Sequence, residues 1–162
     1  MLDQFVVFWA QYLPFLILGV AIVFLLRLEK PRRVSAVALF LVSSGIAFVA
    51  DKMLNRLIES PRPFLVNDIA PLFPHSADNG FPSEHVLFAI VIASVIFAYN
   101  RKLGIILAIL GLVVGSARVL ANVHHPIDVI GGIGIALVSI FCAHRMLSLQ
   151  KVKDFLATKS TK

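Results

Sequence analysis

The 162-residue sequence has one cysteine, Cys142, set inside an apolar run. One thiol cannot build a disulfide framework, and nothing around it is spaced as a thiolate metal site, so it reads as a small core residue. Charge is also scarce. Asp, Glu, Lys and Arg make up 15% of the chain against 59% hydrophobic residues, and mean hydropathy is +0.90. Soluble domains of this size carry a lower apolar share. Here the apolar residues form long runs instead of alternating faces, which points to insertion into a bilayer. A basic face is missing as well. The net charge of +6 comes from short clusters between apolar runs, a pattern of membrane topology that argues against a nucleic-acid partner. Residues 1–4 contain no basic residue, and the apolar run after them is too long for a signal-peptide core. That run is expected to be a retained span.

What is present divides into five apolar stretches, at about residues 5–26, 34–58, 82–99, 103–121 and 126–144. Each is close to the roughly 20 residues that carry a helix across the hydrocarbon at about 1.5 Å per residue. The expected fold is therefore an all-α, polytopic membrane helix bundle of about five transmembrane helices. Residues 1–150 form the embedded domain and residues 151–162 a solvated tail. Arg27, Lys30, Arg32 and Arg33 lie between the first two stretches, Arg101 and Lys102 between the third and fourth, and Arg145, Lys151, Lys153, Lys159 and Lys162 after the fifth. All fall on one side, which the positive-inside rule makes cytoplasmic. The amino terminus is then outside and the carboxyl terminus inside.

Lys52, Arg56, Arg62 and Arg118 break this rule, since they fall at the outer ends of spans or in the loop at residues 59–81. An anion held at the outer membrane face is a sufficient cause. The alternative is that these side chains snorkel to outer-leaflet headgroups. Glycines are patterned too. Gly111 and Gly115 make a small-xxx-small pair, and Gly131, Gly132 and Gly134 thin the fifth stretch. They are expected to bring the outer ends of the fourth and fifth spans together.

Three polar groups gather on the outer side. In Pro61-Arg62-Pro63 the flanking prolines restrict the backbone around a guanidinium, whose planar fork suits phosphate oxygens. In Phe81-Pro82-Ser83-Glu84-His85, Pro82 suits the first position of a helix. The N–H groups that follow make an anion-binding end, with a hydroxyl from Ser83 and an imidazole from His85. A plain helix start capped by Ser83 is the alternative, and Asp78-Asn79-Gly80 before it reads as a turn. The third group is Arg118 followed by His124, His125, Pro126 and Asp128. With Pro126 opening a helix, Asp128 in the first turn can reach back to the imidazole of His124. Such a bond fixes the tautomer and leaves the other ring nitrogen free to attack. A carboxylate that merely caps the helix is the alternative.

Together these elements resemble the type 2 phosphatidic acid phosphatase superfamily. Its pattern is Lys, six residues, Arg-Pro; then Pro-Ser-Gly-His; then Ser-Arg, five residues, His, three residues, Asp. Arg62-Pro63 matches the first, Pro82-Ser83-Glu84-His85 the second, and Arg118, His124 and Asp128 the third, across residues 52–128 or about half the chain. The family lysine would fall at Asn55, with Lys52 one turn earlier and Arg56 adjacent. Ala117 replaces the serine before Arg118, and Glu84 replaces the glycine. An acidic residue there, with Pro61-Arg62-Pro63-Phe64 and Pro74-His75-Ser76-Ala77-Asp78, looks like the undecaprenyl-diphosphatase branch.

The resemblance implies an enzyme of the bacterial plasma membrane. It would hydrolyse the terminal phosphate of a polyprenyl diphosphate at the outer face, recycling the cell-wall lipid carrier and affecting bacitracin tolerance. His124 would be the nucleophile, forming a phosphohistidine, with Asp128 orienting it. His85 would protonate the leaving group and then activate water. Arg62, Ser83, Arg118, Lys52 and Arg56 would bind phosphate, with no metal or other cofactor. A glycerolipid phosphate such as phosphatidic acid or phosphatidylglycerophosphate is the alternative substrate. A metal-dependent hydrolase using His75, His85, His124, His125 and Asp128 has no helical ligand spacing behind it. A lipid flippase or transporter would not need these ordered elements.

Overall fold

The computed structural model describes residues 1–160, with side chains described through Leu149. Six α-helices follow one another: α1 (Leu2–Gln11), α2 (Leu13–Arg27), α3 (Lys30–Leu57), α4 (Glu84–Phe97), α5 (Arg101–Leu120) and α6 (Pro126–Ser160). A long connection between α3 and α4 holds one short 3-10 turn, Pro63–Leu65. The described chain is all-helical, as its apolar runs require. Large apolar side chains such as Phe15, Leu41, Phe48, Ile109 and Phe141 point outward, the reverse of a water-soluble surface.

The five expected spans are modified in two places. The first is broken, because α1 and α2 meet at a 44° bend. Pro14, at the start of α2, has no N–H to give the carbonyl of Ala10 one turn back, and its ring crowds that carbonyl. The third is short. At 14 residues α4 is ~21 Å long, less than the ~30 Å of hydrocarbon. α3, α5 and residues 126–149 of α6 are each long and apolar enough to cross a membrane, and the bent α1–α2 pair passes the same test as one span. Nine of the fourteen α4 residues are buried, which makes it the centre of the bundle. One face packs Ala89, Ile92, Ala93 and Ile96 on Leu13, Ile17 and Ala21 of α2 and on Leu107 and Val114 of α5. Another packs Val86, Leu87, Ile90 and Val91 on Ala47 of α3 and on Ile135 and Ala136 of α6.

The glycines serve this insertion more than a direct seam between α5 and α6. A Cβ on Gly111 would touch Ile90 of α4. One on Gly115 would meet Val86 of α4 as well as Val129 of α6. A Cβ on Gly131 would collide with the Phe81 ring, and one on Gly132 would lie only 2.9 Å from the Ser83 backbone oxygen. Small residues are thus required where α4 and its leading segment cross the neighbouring helices. At the other end, the expected solvated tail continues as helix through Ser160, with no glycine or proline after residue 134 to stop it. Residues 161–162 lie outside the described residues.

Candidate active site

α6 begins at Pro126, where a missing N–H costs nothing, and Asp128 sits in its first turn. The Asp128 carboxylate, fully buried, gathers three contacts. Oδ2 lies 3.3 Å from Nδ1 of His124 and accepts the His125 N–H at 2.8 Å, while Oδ1 accepts the Ser60 hydroxyl at 2.9 Å. With Nδ1–H turned to Asp128, the lone pair of His124 is on Nε2, which lies 3.4 Å from Nη1 of Arg62. His124 is only 3% exposed. Burial lowers its pKa; the bond to Asp128 opposes this, and Arg118 and Arg62 push the same way as burial. The ring is therefore neutral over most of the physiological range.

The helix expected to open at Pro82 begins two residues later. The Phe81–Pro82 peptide is cis, Ser83 has extended backbone, and the helix starts at Glu84 with Ser83 at the cap. The Ser83 N–H donates to the carbonyl of Asp128 at 3.0 Å, tying the openings of α4 and α6 together. The next N–H groups of α4 lack intrahelical acceptors by helix geometry. The Ser83 hydroxyl is fully buried and has no hydrogen-bond partner among the described residues. Such a donor has a cost unless something else satisfies it.

The arginines come from opposite sides. Arg62 Nε donates to Asp78 at 2.7 Å, and Nη1 donates to the carbonyl of Val123 at 2.8 Å. Burial of Asp78 opposes its ionisation, but the bond and charge of Arg62 hold its carboxyl below the usual range. Arg118, in the last turn of α5, is 2% exposed. Its Nη1 donates at 3.4 Å to Ala10, the carbonyl that Pro14 leaves without a helical donor. Nη2 meets Nε2 of His75 at 2.8 Å, and Nε has no partner among the described residues.

Lys52, Asn55, Arg62, His75, Asp78, Glu84, His85, Arg118 and His124 are among the side chains lining one polar cavity of about 190 Å³. That is smaller than the ~300–1,000 Å³ that encloses a drug-sized ligand, and of a scale for a charged headgroup. An apolar cleft lined by Phe15, Leu18, Phe88, Ala89 and Ile92 shares Glu84 and His85 with it. Lys52 is not the free cation its position suggested. Its Nζ lies 2.7 Å from Glu84 and 3.1 Å from Asp51. Arg56 is exposed in the last turn of α3 and does not line the cavity, a departure from its expected role. A cation there suits the negative end of the helix. His125 turns away, with Nε2 3.0 Å from the carbonyl of Pro61. Among the described residues no three His, Cys, Asp or Glu side chains converge as metal ligands.

Ser60, Asn79 and Asn55 escape the sequence reading of the site. Asn79 donates to the carbonyls of Asn55 and Ile58 at the end of α3 and accepts the Ser60 N–H at 2.8 Å. Asn55, at the family lysine position, donates to the carbonyl of Phe81 at 2.7 Å. The Asp-Asn-Gly turn signal was the only hint of this hub. It fixes the turn but not the partner 24 residues away.

The PAP2 superfamily model matches residues 34–151. The chain belongs to the PAP2 superfamily. Undecaprenyl-diphosphatase BcrC of Bacillus subtilis (strain 168) is 36% identical over 110 residues, 65% of this chain and 57% of that protein. This PAP2 chain thus aligns with little more than half the length of that relative. The protein named bacitracin transport permease protein BcrC of Bacillus licheniformis is 31% identical in an alignment covering 100% of this chain and 85% of that one. Among solved structures, Aquifex aeolicus LpxE superposes with a TM-score of 0.73 at 26% identity, over 89% of this chain and 86% of that one. Membership of the PAP2 superfamily and these relatives support a lipid phosphatase.

Proposed function

We propose that this protein hydrolyses the terminal phosphate of a polyprenyl diphosphate at the outer face of the plasma membrane, through a phosphohistidine on His124. The observation that carries the reading is the buried pair of His124 and Asp128, with the free ring nitrogen at a cavity reached by two arginines. Nε2 of His124 attacks phosphorus as the P–O bond to the leaving lipid phosphate breaks, and a proton from His85 goes to the departing oxygen. Water then adds to phosphorus, His85 takes a proton from that water, and the P–N bond breaks to release inorganic phosphate. Arg62, Arg118, the Ser83 hydroxyl and the free N–H groups of α4 stabilise the phosphoryl oxygens. Lys52 acts at the rim, balanced by Glu84. The apolar cleft beside Glu84 and His85 supports a lipid chain as the rest of the substrate. The undecaprenyl-diphosphatase relative favours the diphosphate. A phosphatidylglycerophosphatase B of Bacillus subtilis, 31% identical over 111 residues, keeps a glycerolipid phosphate as the second reading. Eleven of the fifteen Lys and Arg residues lie on the side opposite this site, which supports an extracytoplasmic cavity.

The test is phosphate release by purified protein from polyprenyl diphosphate and phosphatidic acid, with and without chelator, joined to rapid-quench trapping of acid-labile phosphoprotein. The diphosphate should show the higher kcat/KM, and EDTA should have little effect. His124→Ala should abolish trapping and turnover, and Asp128→Asn should cut kcat by about 10²–10⁴ with little change in binding. A phosphohistidine that persists in His124→Ala would overturn the nucleophile, and a preference for phosphatidic acid would overturn the substrate.

A further inference from the structure

His75 has no role in the mechanism above, yet it forms part of the wall between the polar cavity and two openings toward the outside. Its Nε2 accepts from Nη2 of Arg118 at 2.8 Å, and Nδ1 lies 3.4 Å from the carbonyl of Ser76, so the proton sits on Nδ1. The ring stands edge-on to that of His124 at 6.3 Å, a gap that a single phosphoryl group can bridge. It also packs 6.0 Å from Phe73, which holds it against Arg118. The donor that Arg118 gives to His75 points into the same cavity a phosphate would occupy. A lone pair on neutral imidazole is a weaker acceptor for guanidinium than a phosphate oxygen.

We propose that His75 is a substrate contact that trades its bond to Arg118 for one to a phosphate oxygen, taking up a proton as it does so. The inference rests on reading this cavity as a phosphate site. An incoming oxygen accepts from Arg118 Nη2, and the released Nε2 acquires a proton from solvent and donates to the same anion. The one covalent change is the N–H bond formed on Nε2, with solvent as the proton source. The groups facing His75 fit this exchange. Burial opposes its ionisation, and so do Arg62, Arg118 and His124, whose field a polyanion between them cancels. His85 of α4, Tyr12 beside α1 and Asp78 of the same loop complete its ionisable surroundings. A diphosphate carries more charge than a monophosphate ester and so draws the proton more strongly. His75 thereby becomes a determinant of diphosphate preference.

The experiment is titration calorimetry of the full chain in detergent with methylenediphosphonate, a diphosphate that cannot be hydrolysed at its bridge. Two buffers of different ionisation enthalpy give the number of protons taken up. His75→Gln keeps an acceptor for Arg118 and a donor for phosphate but cannot ionise. Wild type should take up more protons than His75→Gln, by a difference approaching about one per site below neutral pH. Uptake by the ligand itself is common to both and cancels. The variant should bind methylenediphosphonate about tenfold more weakly, and orthophosphate within about threefold of wild type. His75→Asn serves if His75→Gln is poorly folded by size-exclusion chromatography. Equal proton uptake in wild type and variant overturns the assignment of His75. Failure of wild type to bind either anion overturns the phosphate-site reading and this inference with it.

Discussion

Arg62 and Arg118 reach one cavity from two differently built regions. Arg62 lies between two prolines in the α3–α4 connection, and its Nε and Nη1 make short bonds to the Asp78 carboxylate and the Val123 carbonyl. Arg118 stands at the end of a helix, with one long bond to Ala10, one to a neutral imidazole, and an Nε without partner among the described residues. A guanidinium used as a structural clasp satisfies its donors within the protein. One kept for a ligand is left with donors to spare. By that measure Arg62 positions the loop and the ring of His124, whereas Arg118 keeps a donor without a partner among the described residues, which under the proposed function is left for the substrate.

Substitution of each arginine tests this division most severely. Arg118→Ala should lower kcat/KM by about 10²–10³ and leave Tm within about 2 °C of wild type, because little folding energy depends on its bonds. Arg62→Ala should cause a comparable loss of activity and also lower Tm by ~5 °C or more, since Asp78 and the Val123 carbonyl lose their donor. Equal changes in Tm, measured by thermal unfolding in detergent, would break the comparison. A smaller effect is expected at the bend. Pro14→Ala restores an N–H that competes with Arg118 for the Ala10 carbonyl. It should lower kcat/KM about three- to tenfold through a raised KM without lowering Tm, while a matched change at Pro63 should not show this split. Steady-state kinetics on the lipid substrate decide it.

The smallest effect is in proton affinity. Burial and both arginines disfavour the charged form of His124, so its midpoint should lie below the ~6.5 of a free imidazole. Removing either arginine should raise the midpoint, and Asp128→Asn should lower it further. The pH dependence of carbethoxylation at His124, followed by peptide mass spectrometry, reads this directly. A midpoint above 6.5 in wild type would contradict the electrostatics.

The contrast also explains what could be read in advance. Helix positions follow from apolar run length, and α6 opens at Pro126 because proline is cheapest there. The spacing of His124 and Asp128 is local, four residues across a helix start, and local geometry is written in the chain. Contacts made across long separations are not. Ser60 reaches Asp128 and Asn79 reaches the end of α3, and no short-range signal distinguishes them from other polar loop residues. The same limit left Lys52 and Arg56 undistinguished. Arg56 and Lys52 differ by one helical turn, and only the packed position of α4 shows that Glu84 meets Lys52 while Arg56 faces outward. The short, buried α4 was hidden for a related reason. Hydropathy reports what a residue dislikes, and it cannot tell lipid from protein as the neighbour.

Asn79 and Ser60 pin both ends of the α3–α4 connection beside Asp128, but the stretch between them at residues 65–72 is largely exposed. It touches the rest of the molecule chiefly through Asn67, Ile69 and Leu72 at the turn after α5. Such an arrangement separates a part that must be conserved in shape from a part that can be lengthened or exchanged. Insertions and randomised sequence at residues 65–70 should be tolerated by the catalytic frame, making this segment the natural place to graft new headgroup recognition onto an unchanged reaction centre.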